Sequence, residues 1–326
     1  MTPPPIKKVA LAGKGRLGTV VLSSLLENNY TVKILTRSTA SHPNLPPGVE
    51  LQEVDYTSLS SLKHALTGIE AVVSTVSGTA IASQKPLIDA AIAVGVKHFI
   101  PADYAMSTRS SPLNGNGRGS VRDLPPYTDV REIERYLISK TSNTGTSMDF
   151  TIVATGGFLE YIFDLPFVLS IPKRKADIVN GGAVPFSISD FETVGRAIVG
   201  VLNHPERVEG HCVQVHGGLI TQNECLRIVK TYDEGPGEWA VKDISAAEKF
   251  NQGLDMLQRG EFTMEAVSTL MAGVVWDRDY GCGFEETDND WLGVDLISRE
   301  KINEMIRDRV THGVKGIASD TIVSNV

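Results

Sequence analysis

The sequence has few cysteines and no long apolar run. These two features argue against a metal site and against a membrane-spanning protein. Only three cysteines, Cys212, Cys225 and Cys282, occur in 326 residues, without a CxxC pair or a His/Cys cluster. We therefore expect no metal site and a reducing compartment. Because no stretch approaches about 18 consecutive apolar residues, we expect no membrane span. The N-terminus also lacks the apolar core of a secretory signal, so we expect a cytoplasmic protein.

Basic residues are in the minority. The chain has 31 Lys and Arg against 39 Asp and Glu, a formal net charge of -8, and a pI of about 5.4. This balance argues against a nucleic acid or an anionic membrane as partner. Apolar residues make up 41% and charged residues 21%, which is typical of a soluble globular protein. At about 150 residues per domain, the length suggests two domains.

Short apolar runs alternate with helical patterns over the first 155 residues. "KKVALAG", "TVKILTR", "EAVVSTVSG" and "VKHFIPADY" are typical of strands, and the intervening segments have apolar residues at helical spacing. This alternation predicts an α/β fold with a doubly wound parallel sheet, the Rossmann type. We expect a dinucleotide-binding domain over residues 1–157 and a smaller, mostly helical substrate region over 158–326. Segments near 177–216 are expected to rejoin the sheet.

A glycine-rich loop joins the first strand to the first helix. It has the pattern Gly13-x-Gly15-x-x-Gly18 within "LAGKGRLG". In this context Gly13 permits a tight turn, Gly15 lets the backbone approach a pyrophosphate, and Gly18 lets the helix pack on the strand. The pyrophosphate then lies on the helix N-terminus, with Leu17 in the same turn. The alternative is a glycine-rich turn that binds nothing.

The residue after the second strand indicates which dinucleotide binds. NAD-binding proteins place a carboxylate there, but this strand ends in "ILTRS", with Arg37. A guanidinium suits a phosphate, and Lys14 and Arg16 add two cations to the glycine loop. The sequence therefore favours NADP(H) over NAD(H). Asp55, after the third strand, either touches the adenine side or caps a turn.

In an open parallel sheet, the ligand lies at the carboxyl ends of the strands. We therefore expect the reaction to take place beside residues 74–78, 102–104 and 155–158. The cofactor contacts predicted there are Ser74, Thr75, Val76, Gly156 and Phe158. The segment 107–124 is rich in Gly, Ser, Asn and Arg, and it is either a mobile lid or an insertion.

Several motifs together resemble the NmrA-like and isoflavone-reductase-like family of atypical short-chain reductases. They are "LAGKGRLG", "LTRS", "VVSTVSG", "FIPADY", "VREIERYL", "FTIVATGGFLEYIF", "ISDFETVGRAIVGVLNHPE" and "TQNE", and they span residues 6 to 230. The family is usually described by GxxGxxG, whose first glycine is Ala12 here. The resemblance implies that the C-terminal part is the substrate side, and that Phe158 packs near the cofactor.

The same resemblance points to Arg131 as a catalytic residue. Isoflavone-reductase-like enzymes have a lysine near the start of this helix in a K-x-x-x-R pattern, which matches Arg131 and Arg135 here. An arginine cannot shuttle protons, but it can polarise a carbonyl or stabilise an oxyanion. The alternative is a surface arginine paired with Glu134. By their placement, Tyr104 and Tyr127 are the candidate proton donors, and Asp103 is either an acid or a turn cap.

A second catalytic motif is rejected because of its position. Tyr136 and Lys140 have the YxxxK spacing of ordinary short-chain dehydrogenases. They lie in the last turns of their helix, roughly 12 Å past its start and away from the reaction edge. We expect Tyr136 to pack and Lys140 to interact with the helix dipole.

The segment "GGFLEYIFDLPF" predicts the substrate wall. Gly156 and Gly157 would let the backbone close on the nicotinamide. The residues expected to form a flat apolar wall are Phe158, Tyr161, Phe163, Phe167 and Trp276. Such a wall suits an aromatic or polycyclic small molecule, although core packing is the alternative for each residue.

Two main functions remain open. The first is an NADPH-dependent reductase that transfers hydride to a C=C or C=O carbon of an aromatic small molecule. The second is a non-catalytic NADP sensor acting through a protein partner, as NmrA-like regulators do. A YxxxK dehydrogenase or epimerase is a third and weaker hypothesis. We expect a monomer or a homodimer.

Overall fold

Strands and helices alternate along the first half of the chain, as the apolar periodicity predicts. The computed structural model describes residues 5–41, 45–104, 106, 120–142, 145–162, 167–208 and 210–312. The strands are β1 (Lys8–Ala12), β2 (Thr31–Thr36), β3 (Glu50–Glu53), β4 (Ala71–Ser74), β5 (His98–Ile100), β6 (Asp149–Phe150), β7 (Ile152–Ala154), β8 (Gly157–Phe158), β9 (Lys175–Val179), β10 (Pro185–Ser189), β11 (Cys212–Gln214), β12 (Gly218–Thr221) and β13 (Ala240–Ile244).

The helices surround these strands. They are α1 (Arg16–Glu27), α2 (Leu59–Leu66), α3 (Gln84–Val94), α4 (Thr128–Thr141), α5 (Leu159–Ile162), α6 (Phe191–Asn203), α7 (Gln222–Tyr232), α8 (Ala246–Gln258), α9 (Met264–Val275), α10 (Asn289–Leu292) and α11 (Arg299–His312). None of those in the described part of the chain combines the length and apolar character that crossing a bilayer requires.

The main sheet is parallel and has the order β3-β2-β1-β4-β5-β6. The strand order reverses direction between β1 and β4, which creates the crevice where ligands bind in such sheets. The predicted doubly wound Rossmann fold is confirmed. After Thr151 the chain continues as β7, which pairs in parallel with β11. Of this pair, β11 lies inside the 177–216 range. The domain boundaries at 157 and 158 stay a prediction.

Both faces of the sheet are covered, which explains why its central strands are apolar throughout. On β1, Val9 and Leu11 join the core beneath α1 and α6. Ala10 and Ala12 point the other way, into the core beneath α2, α3 and α4. A Cβ at Gly195 would lie 2.2 Å from the Ser24 hydroxyl oxygen, so this glycine lets α1 and α6 pack closely.

The C-terminal part has its own aromatic core and one strand that the sequence does not reveal. Phe186 packs edge-on against Trp276 and Phe167, with ring centroids 5.6 and 6.5 Å apart. We expect residues 158–326 to be mostly helical, but residues Ala240–Ile244 form β13 and pair with β9. Four of the five β13 residues are exposed, so the strand lacks the apolar alternation that would predict it.

Burial of His98 on β5 should make the fold sensitive to acid. The His98 side chain is 2% exposed, and its Nε2 lies 2.9 Å from the Thr151 hydroxyl. Burial lowers the pKa of His98 from 6.5 to about 4. Below pH 6.5 the unfolded chain binds a proton that the folded chain does not. The contribution to stability is therefore complete above pH 6.5 and is lost as the pH falls toward 4.

Replacing His98 by a residue that does not titrate should weaken this pH dependence. We expect His98→Asn to lose about 2 kcal/mol less unfolding free energy than the wild type between pH 7 and pH 5. Urea unfolding at both pH values measures the difference. The control is His64→Gln on an exposed helix position, which should follow the wild type. An identical pH dependence in His98→Asn and the wild type would contradict the prediction.

Candidate dinucleotide site

The glycine loop has the conformation that its pattern predicts. Gly13 has a φ of +95°, and the Thr75 hydroxyl donates to its carbonyl oxygen at 2.6 Å. A Cβ at Gly18 would lie 2.2 Å from that same carbonyl oxygen and 2.6 Å from the Thr75 hydroxyl. Gly13 and Gly18 are therefore required by the conformation and packing of the loop itself.

Gly15 differs from its two neighbours because nothing lies within 4 Å of the position of its missing Cβ. It is the N-cap residue of α1, and no side chain caps this end of the helix. The first N–H groups of α1 therefore have no side-chain cap among the described residues, and an anion can accept hydrogen bonds from them. The loop fits the pyrophosphate of a dinucleotide.

Two cations flank this loop. Arg37 is exposed after β2, and Lys14 is half-buried in the loop. Neither forms an ion pair with the described residues. Both charges thus remain available to a phosphate group. Asp55 accepts hydrogen bonds from the backbone N–H and hydroxyl of Thr57 at 2.8 and 2.7 Å, so it caps a turn.

A chain of hydrogen bonds runs across the carboxyl ends of β4, β5, β7 and β10. The Tyr104 hydroxyl donates to the Ser74 carbonyl at 2.8 Å, and the Thr155 hydroxyl donates to the Tyr104 carbonyl at 2.7 Å. The Ser189 hydroxyl donates to the Thr155 carbonyl at 2.8 Å. These bonds hold the edge of the sheet together. The buried Ser74 hydroxyl has no partner in the described residues, so it could bind a ligand at this edge.

The two predicted proton donors are poorly placed for that role. Tyr104 and Tyr127 are each 8% exposed, and burial raises the pKa of both phenols well above the usual value. The hydroxyl proton of Tyr104 is already donated to Ser74, and Tyr127 packs in the C-terminal core. The geometry therefore contradicts Tyr104 as a ready proton donor and gives Tyr127 a packing role.

A buried ion pair beside this edge is missing from the sequence-based prediction. Arg122 is 5% exposed and binds both carboxylate oxygens of Asp103, at 3.2 and 2.7 Å. Its guanidinium also donates to Glu134 on α4 at 2.8 Å. Asp103 is therefore neither a free acid nor a turn cap. The sequence does not indicate that Arg122 is buried, because it follows a polar, Gly- and Ser-rich segment. Arginines in such segments are typically exposed to solvent.

Arg131 has a different partner from the expected one. Its guanidinium donates to Asp123 at 2.7 Å and to the Arg122 carbonyl at 3.3 Å. The alternative, a pairing with Glu134, is wrong, because Arg122 binds that carboxylate. The Arg131 side chain is still 29% exposed, beside the start of α4. Its catalytic role stays a prediction.

The YxxxK pair lies away from the reaction edge, as its helix position predicts. The Tyr136 hydroxyl and the Lys140 ammonium group bind the two carboxylate oxygens of Asp89 on α3, each at 2.7 Å. Lys140 is therefore an ion-pair residue rather than only a helix-dipole partner. Tyr136 joins α4 to α3.

The predicted aromatic wall divides into two groups. Phe158 and Tyr161 pack with Phe191, with ring centroids 5.4 to 6.2 Å apart. Trp276 is wholly buried, and its indole N–H donates to the Phe167 carbonyl at 3.0 Å. Trp276 and Phe167 are core residues, so the prediction that they line the substrate site is wrong. Phe163 lies outside the described residues.

The two glycines after β7 are required by packing. A Cβ at Gly156 would lie 2.2 Å from the Ser187 carbonyl oxygen, and one at Gly157 would lie 2.6 Å from the Phe186 ring. Both contacts are with β10. These glycines therefore let the turn approach β10, and their approach to the nicotinamide stays a prediction.

The profile of the NmrA-like family matches residues 7–261. The chain belongs to the NmrA-like family. The resemblance stated from the sequence motifs is thus confirmed. Among curated relatives, oxidoreductase aprR of Aspergillus flavus is 28% identical over 305 residues, which cover 93% of this chain and 96% of that protein.

Solved structures of reductases have the same fold as this NmrA-like chain. AtPrR2 with NADP+ and (+)pinoresinol has a TM-score of 0.69 at 19% identity, covering 94% of this chain and 99% of that one. Isoflavone reductase has a TM-score of 0.66 at 16% identity, with the same coverages.

The two glycines in the second half of the loop provide a matched pair of variants. We expect Gly18→Ala to lower the unfolding free energy by about 1–3 kcal/mol, because its methyl group overlaps the Gly13 carbonyl. Gly15→Ala should leave stability within about 0.5 kcal/mol of the wild type, because its methyl group meets nothing. Gly15→Ala should nevertheless weaken NADPH binding about tenfold or more, because the added methyl group obstructs the space over the N-terminus of α1. Urea unfolding and calorimetric titration measure both effects. Unchanged NADPH affinity in Gly15→Ala would contradict this assignment.

Proposed function

We propose that this NmrA-like protein is an NADPH-dependent oxidoreductase that acts on an aromatic or polycyclic small molecule. The observation that carries the proposal is the N-terminus of α1, which has no side-chain cap and is open at Gly15. It is flanked by two cations that form no ion pair with the described residues. Curated relatives named as oxidoreductases and the NADP+ complex of AtPrR2 support it. The cofactor-binding residues proposed here are Gly13, Lys14, Gly15, Arg16, Leu17, Gly18, Arg37, Ser74, Thr75, Val76 and Phe158.

NADPH, when bound, supplies a hydride to a C=C or C=O carbon at the carboxyl edge of the sheet. This chain supplies the binding, the orientation and the electrostatic stabilisation. The N–H groups of α1 hold the pyrophosphate, and Lys14 and Arg37 hold the 2′-phosphate. The unpartnered hydroxyl of Ser74 offers a hydrogen bond at the edge where the nicotinamide binds.

Arg131 is the proposed group that stabilises negative charge on the substrate oxygen. Its guanidinium stays charged, so it acts electrostatically and the product takes its proton from solvent. A bound pinoresinol in AtPrR2 supports an aromatic substrate here, as do the half-buried rings of Phe158 and Tyr161. The cytoplasmic location and the monomeric or dimeric state stay predictions.

The non-catalytic NADP sensor is the second candidate, and the buried phenols favour it. Tyr104 and Tyr127 are both buried, and Arg131 is paired with Asp123. A sensor needs no proton donor at the reaction edge. A sensor would bind NADP+ and NADPH with different affinities. It would not oxidise NADPH, whichever acceptor is supplied.

Exchanging Arg37 should reduce the preference for the phosphorylated dinucleotide. We expect Arg37→Ser to weaken NADPH binding by about tenfold to a hundredfold, because it removes a charge-assisted bond to the 2′-phosphate, while NADH binding changes little. Quenching of tryptophan fluorescence measures both affinities. Lys230→Ser, at an exposed position on α7, removes one positive charge elsewhere and is the control. An unchanged ratio of NADPH to NADH affinity in Arg37→Ser would refute the assignment.

Removing the charge of Arg131 should slow turnover without loosening the cofactor. With chalcone or naphthoquinone as trial acceptors, we expect Arg131→Met to lower kcat by about a hundredfold, since it removes one group that stabilises the oxyanion. The affinity for NADPH should stay unchanged. Tyr136→Phe is the control for the YxxxK hypothesis and should keep full activity. A wild-type kcat in Arg131→Met would exclude a catalytic role for this residue. If the wild type binds NADPH but turns over none of the acceptors, the sensor is favoured.

A further inference from the structure

Arg16, the first residue of α1, lies against two aromatic rings. Its guanidinium carbon is 4.8 Å from the centroid of the Tyr161 ring and 5.7 Å from that of Phe191. Both distances are within the range of about 6 Å in which a cation is attracted to a ring face. Tyr161 follows β8 and Phe191 begins α6, so two distant segments of the chain meet at this arginine.

The rings are held in place by their own neighbours. Phe158 packs edge-on against both of them, at 6.2 Å from Tyr161 and 5.4 Å from Phe191. The backbone N–H of Phe191 donates to the Glu160 carboxylate at 2.9 Å, which ties α5 to α6. The positions of the two rings are thus fixed by the fold rather than by Arg16.

The C-terminal helix α11 braces the same two segments. The Arg309 guanidinium donates to the carbonyl of Glu160 in α5. Lys301 binds Asp190 and Glu192 at the start of α6, at 2.7 and 2.8 Å. The elements that carry Tyr161 and Phe191 are therefore both joined to α11.

The charge of Arg16 is not neutralised by this contact. Within the residues that the structure describes, no carboxylate forms an ion pair with Arg16. Burial raises the pKa of the Glu160 carboxyl, and the charge of Arg16 opposes this shift from beyond ion-pair distance. A salt bridge would fix the guanidinium but would also cancel the charge that a phosphate needs. Ring faces restrict the side chain and leave its hydrogen-bond donors and its formal charge available. Since Arg16 begins the helix, this charge adds to the positive end of the α1 dipole.

We propose that Tyr161 and Phe191 form a platform that orients Arg16 toward the pyrophosphate of the dinucleotide. Tyr161 is then a positioning residue for cofactor binding. The proposal rests on the proposed function, because it needs a dinucleotide on the glycine loop. It gives the segment after β8 a role in cofactor binding, which the glycine pattern of residues 13–18 does not predict.

A double-mutant cycle on NADPH affinity tests the platform. Calorimetric titration gives the Kd of NADPH for the wild type, Arg16→Gln, Tyr161→Leu and the double variant. We expect Arg16→Gln to raise Kd at least about tenfold, as loss of a charge-assisted bond does. Tyr161→Leu should raise it about threefold to tenfold. The double variant should bind no more weakly than Arg16→Gln alone, because Tyr161 acts through Arg16.

Two further variants separate positioning from general packing. Tyr161→Phe keeps a ring face and should bind NADPH within about twofold of the wild type. Phe250→Leu removes a ring from the stacked pair with Tyr280, far from the glycine loop in the C-terminal core, and should leave Kd unchanged. The urea midpoints of all variants show whether any loss of affinity follows from a loss of folding.

Three results would overturn the platform. The first is additive effects of Arg16→Gln and Tyr161→Leu, and the second is a Tyr161→Phe variant as weak as Tyr161→Leu. The third is an unchanged Kd in Arg16→Gln, which would show that Arg16 does not bind the cofactor. This result contradicts the proposal even if Tyr161→Leu does not fold. Failure of the proposed function is distinguishable, because the wild type itself would then not bind NADPH.

Discussion

The close contact of Gly18 with Gly13 and Thr75 is the constraint on which the rest of the site depends. It brings α1 against the end of β1 at the point where the strand order reverses. The Thr75 hydroxyl then closes the loop onto β4 through the Gly13 carbonyl. As a result, the uncapped N–H groups of α1, the unpartnered hydroxyl of Ser74 and the cations at the ends of β1 and β2 lie around one crevice. Packing that the fold requires thus produces an anion site.

The cationic side chains around this crevice differ in their partners. The buried one forms ion pairs, and those at the glycine loop and after β2 form none with the described residues. Arg122, which is buried beside β5, has two carboxylates as partners, and removing either would leave a costly buried charge. Lys14, Arg16 and Arg37 have no ion-pair partner in the described residues. These three cations lie next to α1 and after β2, where a dinucleotide phosphate would lie. Arg122 thus stabilises the fold, whereas these three cations can bind a ligand.

The sequence predicts the sheet, its faces and the glycine loop because each depends on local periodicity or on a short motif. Val9 and Leu11 alternate with Ala10 and Ala12, and both sets are buried, as a covered strand requires. The rejection of the Tyr136 and Lys140 pair also needs only helix length. The site residues that the sequence misses depend on contacts across the fold. Arg122 reaches Asp103 over 19 positions, and Trp276 meets Phe186 over 90 positions. Aromatic residues in a row therefore predict a wall but do not tell a pocket from a core.

Titration of the wild type with NADPH, NADP+, NADH and NAD+ tests the central claim most directly. If the α1 N-terminus and its cations hold a phosphorylated dinucleotide, both NADPH and NADP+ bind, and each binds at least about tenfold more tightly than its counterpart without the 2′-phosphate. Binding of none of the four would contradict the claim, because it would mean that the open space over Gly15 does not receive a pyrophosphate.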